Sequence, residues 1–111
     1  MDIDFSTWEK IEIYSGTVVE VEEFPRAKKP AYKVWVDFGS ELGIKKTSAQ
    51  ITVNYSPENL LGKIVVGVVN LPPKNIAGFI SEFLLLGVVD CQGNVSLLAP
   101  DHSVPSGQKI S

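Results

Sequence analysis

A chain of 111 residues, 44% of them apolar, is long enough to bury one hydrophobic core and too apolar to stay disordered. It has no apolar run of about 18 residues, which predicts no membrane insertion, and one cysteine, Cys91, which excludes an internal disulfide and predicts a reduced, cytoplasmic setting. The net charge of −3 on its face argues against a nucleic-acid binder, but it is unevenly spread: Met1 to Glu23 holds seven acids and one base, whereas Phe24 to Val36 holds four bases (Arg26, Lys28, Lys29, Lys33) and no acid, a footprint that suits an anionic partner.

The leading residues Met1-Asp2-Ile3-Asp4-Phe5 are acidic and lack the apolar stretch of a secretory leader. Ser6-Thr7-Trp8-Glu9 has the capping-box pattern, which predicts one helical turn starting at Ser6. Residues 11–24 are rich in Ile, Val and Thr and predict a long strand, bent or bulged at Gly16 and ended by Phe24-Pro25. Arg26 to Ala31 is a basic loop. From Tyr32 to Phe38 the pattern alternates, with Tyr32, Val34, Val36 and Phe38 facing the core and Lys33, Trp35 and Asp37 facing away.

Residues 39–43 form a turn and 44–53 a weaker third strand. Ser56 as cap and Pro57 at the first helical position predict a short helix closed by Gly62. Residues 64–69 and 83–89 read as buried strands, 92–94 as a turn and 95–98 as the returning strand. The order strand-strand-strand-helix-strand-strand predicts an all-β chain: one domain over residues 1–111, a five-stranded OB-fold barrel with a short helix between strands three and four, plus terminal extensions. Such a barrel binds ligands on strands two and three, between the loop after strand one (here the basic loop) and the loop after strand four (here Leu71 to Ser81).

Catalytic signals are missing. His102 is the only histidine and lies in a proline-flanked loop; Cys91 has no partner thiol. No nucleophile elbow or phosphate-binding glycine loop occurs. Glu22 and Glu23 are adjacent, so a strand sends them to opposite faces. The expectation is a protein without catalysis, cofactor or metal.

Binding signals are present. Trp35, on the polar side of its strand, offers a flat apolar platform; the alternatives are burial under a loop or in a subunit contact. Phe24, Pro25, Pro30 and Ala31 would rim it. The basic stretch also reads as an ordinary solvated loop. In "NLPPKNIAGFISEFLLLG", Pro72-Pro73 stiffens the exit of a buried strand and blocks further ladder bonds. Lys74 and Asn75 then stand at a rigid corner, and Ser81 and Glu82 return the chain to the sheet. The segment reads as one wall of a groove with Lys74 its main contact; the alternative is closure alone.

At both ends of the chain lies apolar surface that monomers rarely expose: Ile3, Phe5, Trp8, Ile11 and Ile13 at one, Leu97, Leu98, Val104 and Ile110 at the other. These residues predict a two-fold interface shared by the termini.

The stretches "PAYKVWVDFG", "SAQIT" and "NLPPKNIAGFISE" resemble the dimeric tRNA-binding OB domains attached to methionyl-tRNA synthetases. Within that superfamily the chain is most similar to the CsaA-type export-related chaperones, from about Thr7 to its end. The resemblance implies a homodimer that binds unfolded preproteins and the Sec export machinery, with tRNA as the alternative ligand. Ser48, Gln50, Lys74 and Asn75 match the polar ligand-facing positions of the superfamily. Two departures favour polypeptide over tRNA. Tyr14 replaces the arginine of the relatives' Asp-x-Arg-x-Gly opening, and Ser81-Glu82-Phe83-Leu84 replaces their "SEGM". The full set of candidate ligand contacts is Phe24, Arg26, Lys28, Lys29, Pro30, Lys33, Trp35, Lys46, Ser48, Gln50, Lys74, Asn75 and Ser81.

Overall fold

A computed structural model describes all residues 1–111. Strand β1 (Ile13–Glu23) serves two neighbours. Its first half pairs antiparallel with β4 (Ile64–Val68), and its second half with β2 (Tyr32–Asp37). Strand β2 pairs in turn with β3 (Ile44–Ala49), and β4 with β7 (Leu84–Leu85), giving the order β3-β2-β1-β4-β7. Residues 81–83 then return to β3. Glu82 N–H donates to Lys46 O at 2.8 Å, Lys46 N–H to the Glu82 carboxylate at 3.0 Å, and Ser48 N–H to Ser81 Oγ at 3.1 Å. The buried Thr47 hydroxyl donates to Phe83 O at 2.8 Å. The sheet is thereby a nearly closed five-stranded barrel of OB type, as the element order predicted.

The alternation in β2 sets the core: Tyr32, Val34, Val36 and Phe38 point inward with Val18, Ile51, Leu60, Val65 and Phe83. Phe83 meets Phe38 edge to face at 5.0 Å. Leu60 reaches the core from α2 (Pro57–Leu60), whose start follows the sequence closely. Ser56 Oγ accepts from Asn59 N–H, and the Asn59 side chain accepts from Ser56 N–H.

Several elements differ from expectation. The first turn, α1 (Phe5–Trp8), starts a residue before Ser6, because the N–H groups of Thr7 and Trp8 bond to Asp4 O; no side chain caps it. The bulge in β1 lies between Val18 and Glu20, not at Gly16, which pairs regularly with Val65. The glycine is there for packing: a Cβ at 16 would stand 2.5 Å from Val36 Cγ1 and 2.9 Å from Phe38 Cδ1. The third strand ends at Ala49 rather than at 53.

The tract 83–89 is split. Leu84 and Leu85 close the barrel, while β8 (Gly87–Val89) leaves it to pair with β9 (Val95–Leu97). The Asp90 carboxylate fixes that hairpin's turn by accepting from Asn94 and Gln92 N–H, which holds it below the usual carboxylate range. The stretch 71–81 is not a loop but a hairpin, β5 (Lys74–Ile76) and β6 (Phe79–Ser81), joined by Ala77 and Gly78 at φ +49° and +86°.

The C-terminal tail returns to the first half of β1, along the stretch of the β2-side edge that β2 leaves free. Ser15 N–H donates to Gln108 O, Gly107 N–H to Ser15 O, and Ile110 N–H to Ile13 O. This brings the two termini together beside a second small cluster of Ile13, Val66 and Val68, on which Trp8, Ile11 and Leu86 pack.

Replacing Gly16 with Ala should lower the unfolding free energy by about 1–3 kcal/mol, the usual cost of overpacking a filled core. Urea denaturation measures it; an unchanged midpoint would mean that β2 yields freely at Val36.

Candidate binding groove

The hairpin β5–β6 arches away from the barrel beside β3 and leaves two clefts that meet. One, of about 280 Å³, is lined by Thr47, Ser48 and Gln50 of the β3 side, by Leu71, Pro72, Lys74, Ile76 and Ser81 of the hairpin side, and by Phe83 and Leu84. The other, of about 480 Å³, lies between the basic loop and the hairpin. Arg26, Ala27, Lys28, Lys29 and Ala31 face Ser48, Gln50, Asn75, Ile76 and Ala77 across it. Ser48, Gln50 and Ile76 belong to both, so the clefts form one continuous groove.

Eight of the predicted contacts therefore come together here: Arg26, Lys28, Lys29, Ser48, Gln50, Lys74, Asn75 and Ser81. Four of the lining residues are cations and none is an acid. No lysine or arginine of the chain is ion-paired, and the one histidine–carboxylate contact, His102 with Asp101 at 3.6 Å, lies elsewhere on the surface. The groove thus holds an unneutralised positive potential in a chain of net charge −3. Leu71, Pro72, Ile76 and Leu84 give its other end an apolar lining.

The remaining predicted contacts gather differently. Trp35, Lys33 and Lys46 sit outside the groove, on the outer face of β2 and β3, organised by a residue that sequence reasoning missed. Phe79 of β6 meets Trp35 edge to face at 5.9 Å and Phe24 at 5.6 Å. Lys33 Nζ lies 5.0 Å from the Phe24 ring and 5.1 Å from that of Phe79, and Lys46 Nζ 5.1 Å from Phe79. Trp35 is half-buried under this cap and is not the open platform expected. Phe24, only 4% exposed, is not a rim residue but lies beneath Phe79. Pro30 lines a hollow with Phe24, Pro25 and Tyr32 on the far side of the basic loop, where Ala27, Lys28 and Ala31 divide it from the cationic cleft. The one signal for Phe79 was an aromatic just after Ala77-Gly78, and that turn was hard to read because Ala, unlike Asn or Asp, is uncommon at positive φ.

An acidic pair was also missed. Glu20 and Glu22, two apart on β1, share a face, opposite Trp35 and Lys33. A hydrogen bond with Glu22 raises the Glu20 carboxyl above the usual carboxylate range, with desolvation and the charge of Glu22 adding to the shift. On the core side, burial raises the Tyr32 hydroxyl, which donates to Tyr55 O at 2.9 Å.

The predicted interface residues fall into two groups. Phe5, Trp8, Ile11, Ile13 and Ile110 surround one hollow of about 360 Å³ where the termini meet. Ile3 and Phe5 remain 60% and 71% exposed, and Leu98 is exposed as well. Leu97 instead leans on the main core, with its N–H donating to Tyr55 Oη, and Val104 is half-buried. No helix is long and apolar enough to cross a membrane, and no group of three His, Cys, Asp or Glu side chains is placed to hold a metal ion.

A family model described as a putative tRNA binding domain matches residues 13–109. The methionine–tRNA ligase of Methanocaldococcus jannaschii is 41% identical over 108 residues, covering 97% of this chain and 16% of the ligase. The chain spans 14–16% of the length of the curated relatives it matches. Among solved structures, the chaperone CsaA of Bacillus anthracis is 48% identical with a TM-score of 0.94, covering 100% of both chains. The CsaA chaperone protein of Picrophilus torridus is 47% identical with a TM-score of 0.91, covering 99% of this chain and 100% of that one.

The raised Glu20 group binds its proton more tightly in the folded chain than in the unfolded one. Its contribution to stability is full below the unfolded value and is lost as pH rises through the folded value. Changing Glu22 to Gln should bring the Glu20 midpoint down toward the ordinary range and flatten that pH dependence. Carboxyl-carbon NMR titration reads the midpoint; no movement would show that Glu22 is not the cause.

Proposed function

Because the chain belongs to the putative tRNA binding domain family, we propose that it is a non-catalytic, chaperone-like binding protein that holds unfolded or extended preprotein segments for export. The observation that carries this reading is the groove itself. One end is apolar, at Leu71, Pro72, Ile76 and Leu84, the other is cationic, and polar backbone and side-chain groups lie between them. An extended polypeptide can fill both ends at once, whereas a phosphate backbone has no use for the apolar end. The full-length likeness to the CsaA chaperones supports the same reading. Tyr14, in place of an arginine, removes one cation from the tRNA-binding pattern.

In this reading the protein works in the cytoplasm as a homodimer, delivers its clients to the Sec export machinery, and uses neither cofactor nor metal. The two termini supply the interface. Ile3, Phe5, Ile110 and Leu98 expose apolar side chains, and Phe5 and Ile110 line one hollow with Trp8 and Ile11, apolar surface of the kind subunit contacts cover.

A second reading, tRNA binding, is favoured by one observation: four groove cations with no acid among them. Salt separates the two. Neutralising four phosphates makes affinity fall on the order of a hundredfold between about 50 and 200 mM salt. A polypeptide held largely by apolar burial should weaken much less over that range and should bind with a negative heat-capacity change.

Parallel titrations of bulk tRNA and an unfolded preprotein should therefore show preprotein binding with the shallow slope. Steep tRNA binding with no preprotein binding would reverse the assignment. Neutralising Lys28 and Lys29 together should slow association at low salt and leave dissociation nearly unchanged, since exposed charges act mainly on encounter.

Light scattering at tens of micromolar should give about twice the mass of the chain. A strict monomer would remove the role assigned to the termini.

A further inference from the structure

The way the barrel closes leaves one short backbone edge open inside the groove. Trp35 faces Lys46 and Lys33 faces Ser48 in the β2–β3 ladder. The Lys46 N–H and C=O both go to Glu82, away from β2. Backbone groups alternate in direction along a strand, so Ser48 and, where the chain continues, Gln50 also turn theirs away from β2. Lys46 is fully satisfied. At Ser48 the N–H is taken by Ser81 Oγ, but the C=O meets only the Thr47 hydroxyl at 3.4 Å. Gln50, exposed, has a backbone N–H and C=O with no partner in the chain. Both residues line both clefts.

Open edges invite pairing with another chain, and lysines beside them discourage pairing between copies. Arg26, Lys28 and Lys29 stand across the cleft from this edge and Lys74 beside it, with no acid among the lining residues. The same cations that repel a second copy attract an acidic segment. On the other side Leu71, Ile76 and Leu84 offer apolar surface.

We infer that the groove takes its polypeptide by strand addition: an extended segment with alternating apolar and acidic side chains pairs its backbone with the open edge at Ser48 and Gln50. The inference rests on the polypeptide reading above and adds the binding mode and the class of segment. Alternate residues of the added strand would turn their backbone groups to β3. Successive side chains of that strand would fall alternately on the apolar lining and on the cationic loop. RNA has no comparable repeat of donors and acceptors to complete a ladder.

The test is an N-methyl scan. A fluorescent peptide of alternating Leu and Glu is titrated into the full chain, followed by a series carrying one backbone N-methyl group at each successive position. The expected result is a loss of about tenfold at the two positions, two residues apart, whose N–H groups reach the Ser48 and Gln50 carbonyls, and little at the position between, the cost of a ladder bond left unmade. Amide exchange at Gln50 should slow when the parent peptide binds. Gln50→Pro, which removes that N–H, should weaken binding by a similar factor. If the variant fails to fold, the scan on the unaltered protein still decides.

Losses without a period of two, or none at all, would overturn strand addition and leave the polypeptide reading standing. An unfolded preprotein that binds while the Leu/Glu peptide does not would overturn the class of segment. Binding of tRNA with neither polypeptide bound would overturn this inference and the reading beneath it.

Discussion

Five hydrogen bonds between β3 and residues 81–83 turn an open sheet into a barrel, and most of the molecule's working surface follows from them. Four of the five use a side chain, from Glu82, Thr47, Ser81 and Ser48. Side chains can reach where two twisting strands no longer lie at ladder distance. The seam also places Phe83 against Phe38 in the core. Because Thr47 Oγ1 and Phe83 O are buried partners, loss of either would leave a desolvated polar group, which costs about 1–3 kcal/mol. The Ser-Glu pair of the sequence is thus first a structural device.

The same seam lifts the hairpin β5–β6 off the barrel. One side of the hairpin becomes a groove wall, at Lys74, Asn75 and Ile76. On the other side Phe79 covers Trp35 and Phe24. These aromatic contacts and the two lysines around Phe79 anchor a hairpin of two three-residue strands, too short to be stable alone. Trp35 therefore supports the groove wall from behind and does not line the groove.

Charge is divided along the same lines. The acids Glu20 and Glu22 occupy the outward stretch of β1, close enough that one raises the other's proton affinity. The bases line the groove without counter-ions. A net charge of −3 conceals this separation, which concentrates positive potential at one place on the surface.

Local signals made much of this legible before any coordinates. The alternation from Tyr32 to Phe38 named the core face, Ser56-Pro57 named the start of the helix, and a run of bases without acids marked the loop that lines the groove. Each depends on residues within a few positions of one another, which is the range over which strand period, capping and charge clustering act. The sequence did not reveal the hairpin at 74–81, the cover that Phe79 places on Trp35, the turn of Leu97 toward the core or the return of the tail to Ser15. Those depend on which strands meet, and the meeting is decided by closure of the whole barrel. Whether Ser48 and Gln50 keep open backbone groups is likewise set by Ser81 and Glu82, more than thirty residues away in the chain. Only the tertiary structure can decide it, because a backbone hydrogen bond is satisfied or left open by geometry in space and not by the identity of its neighbours.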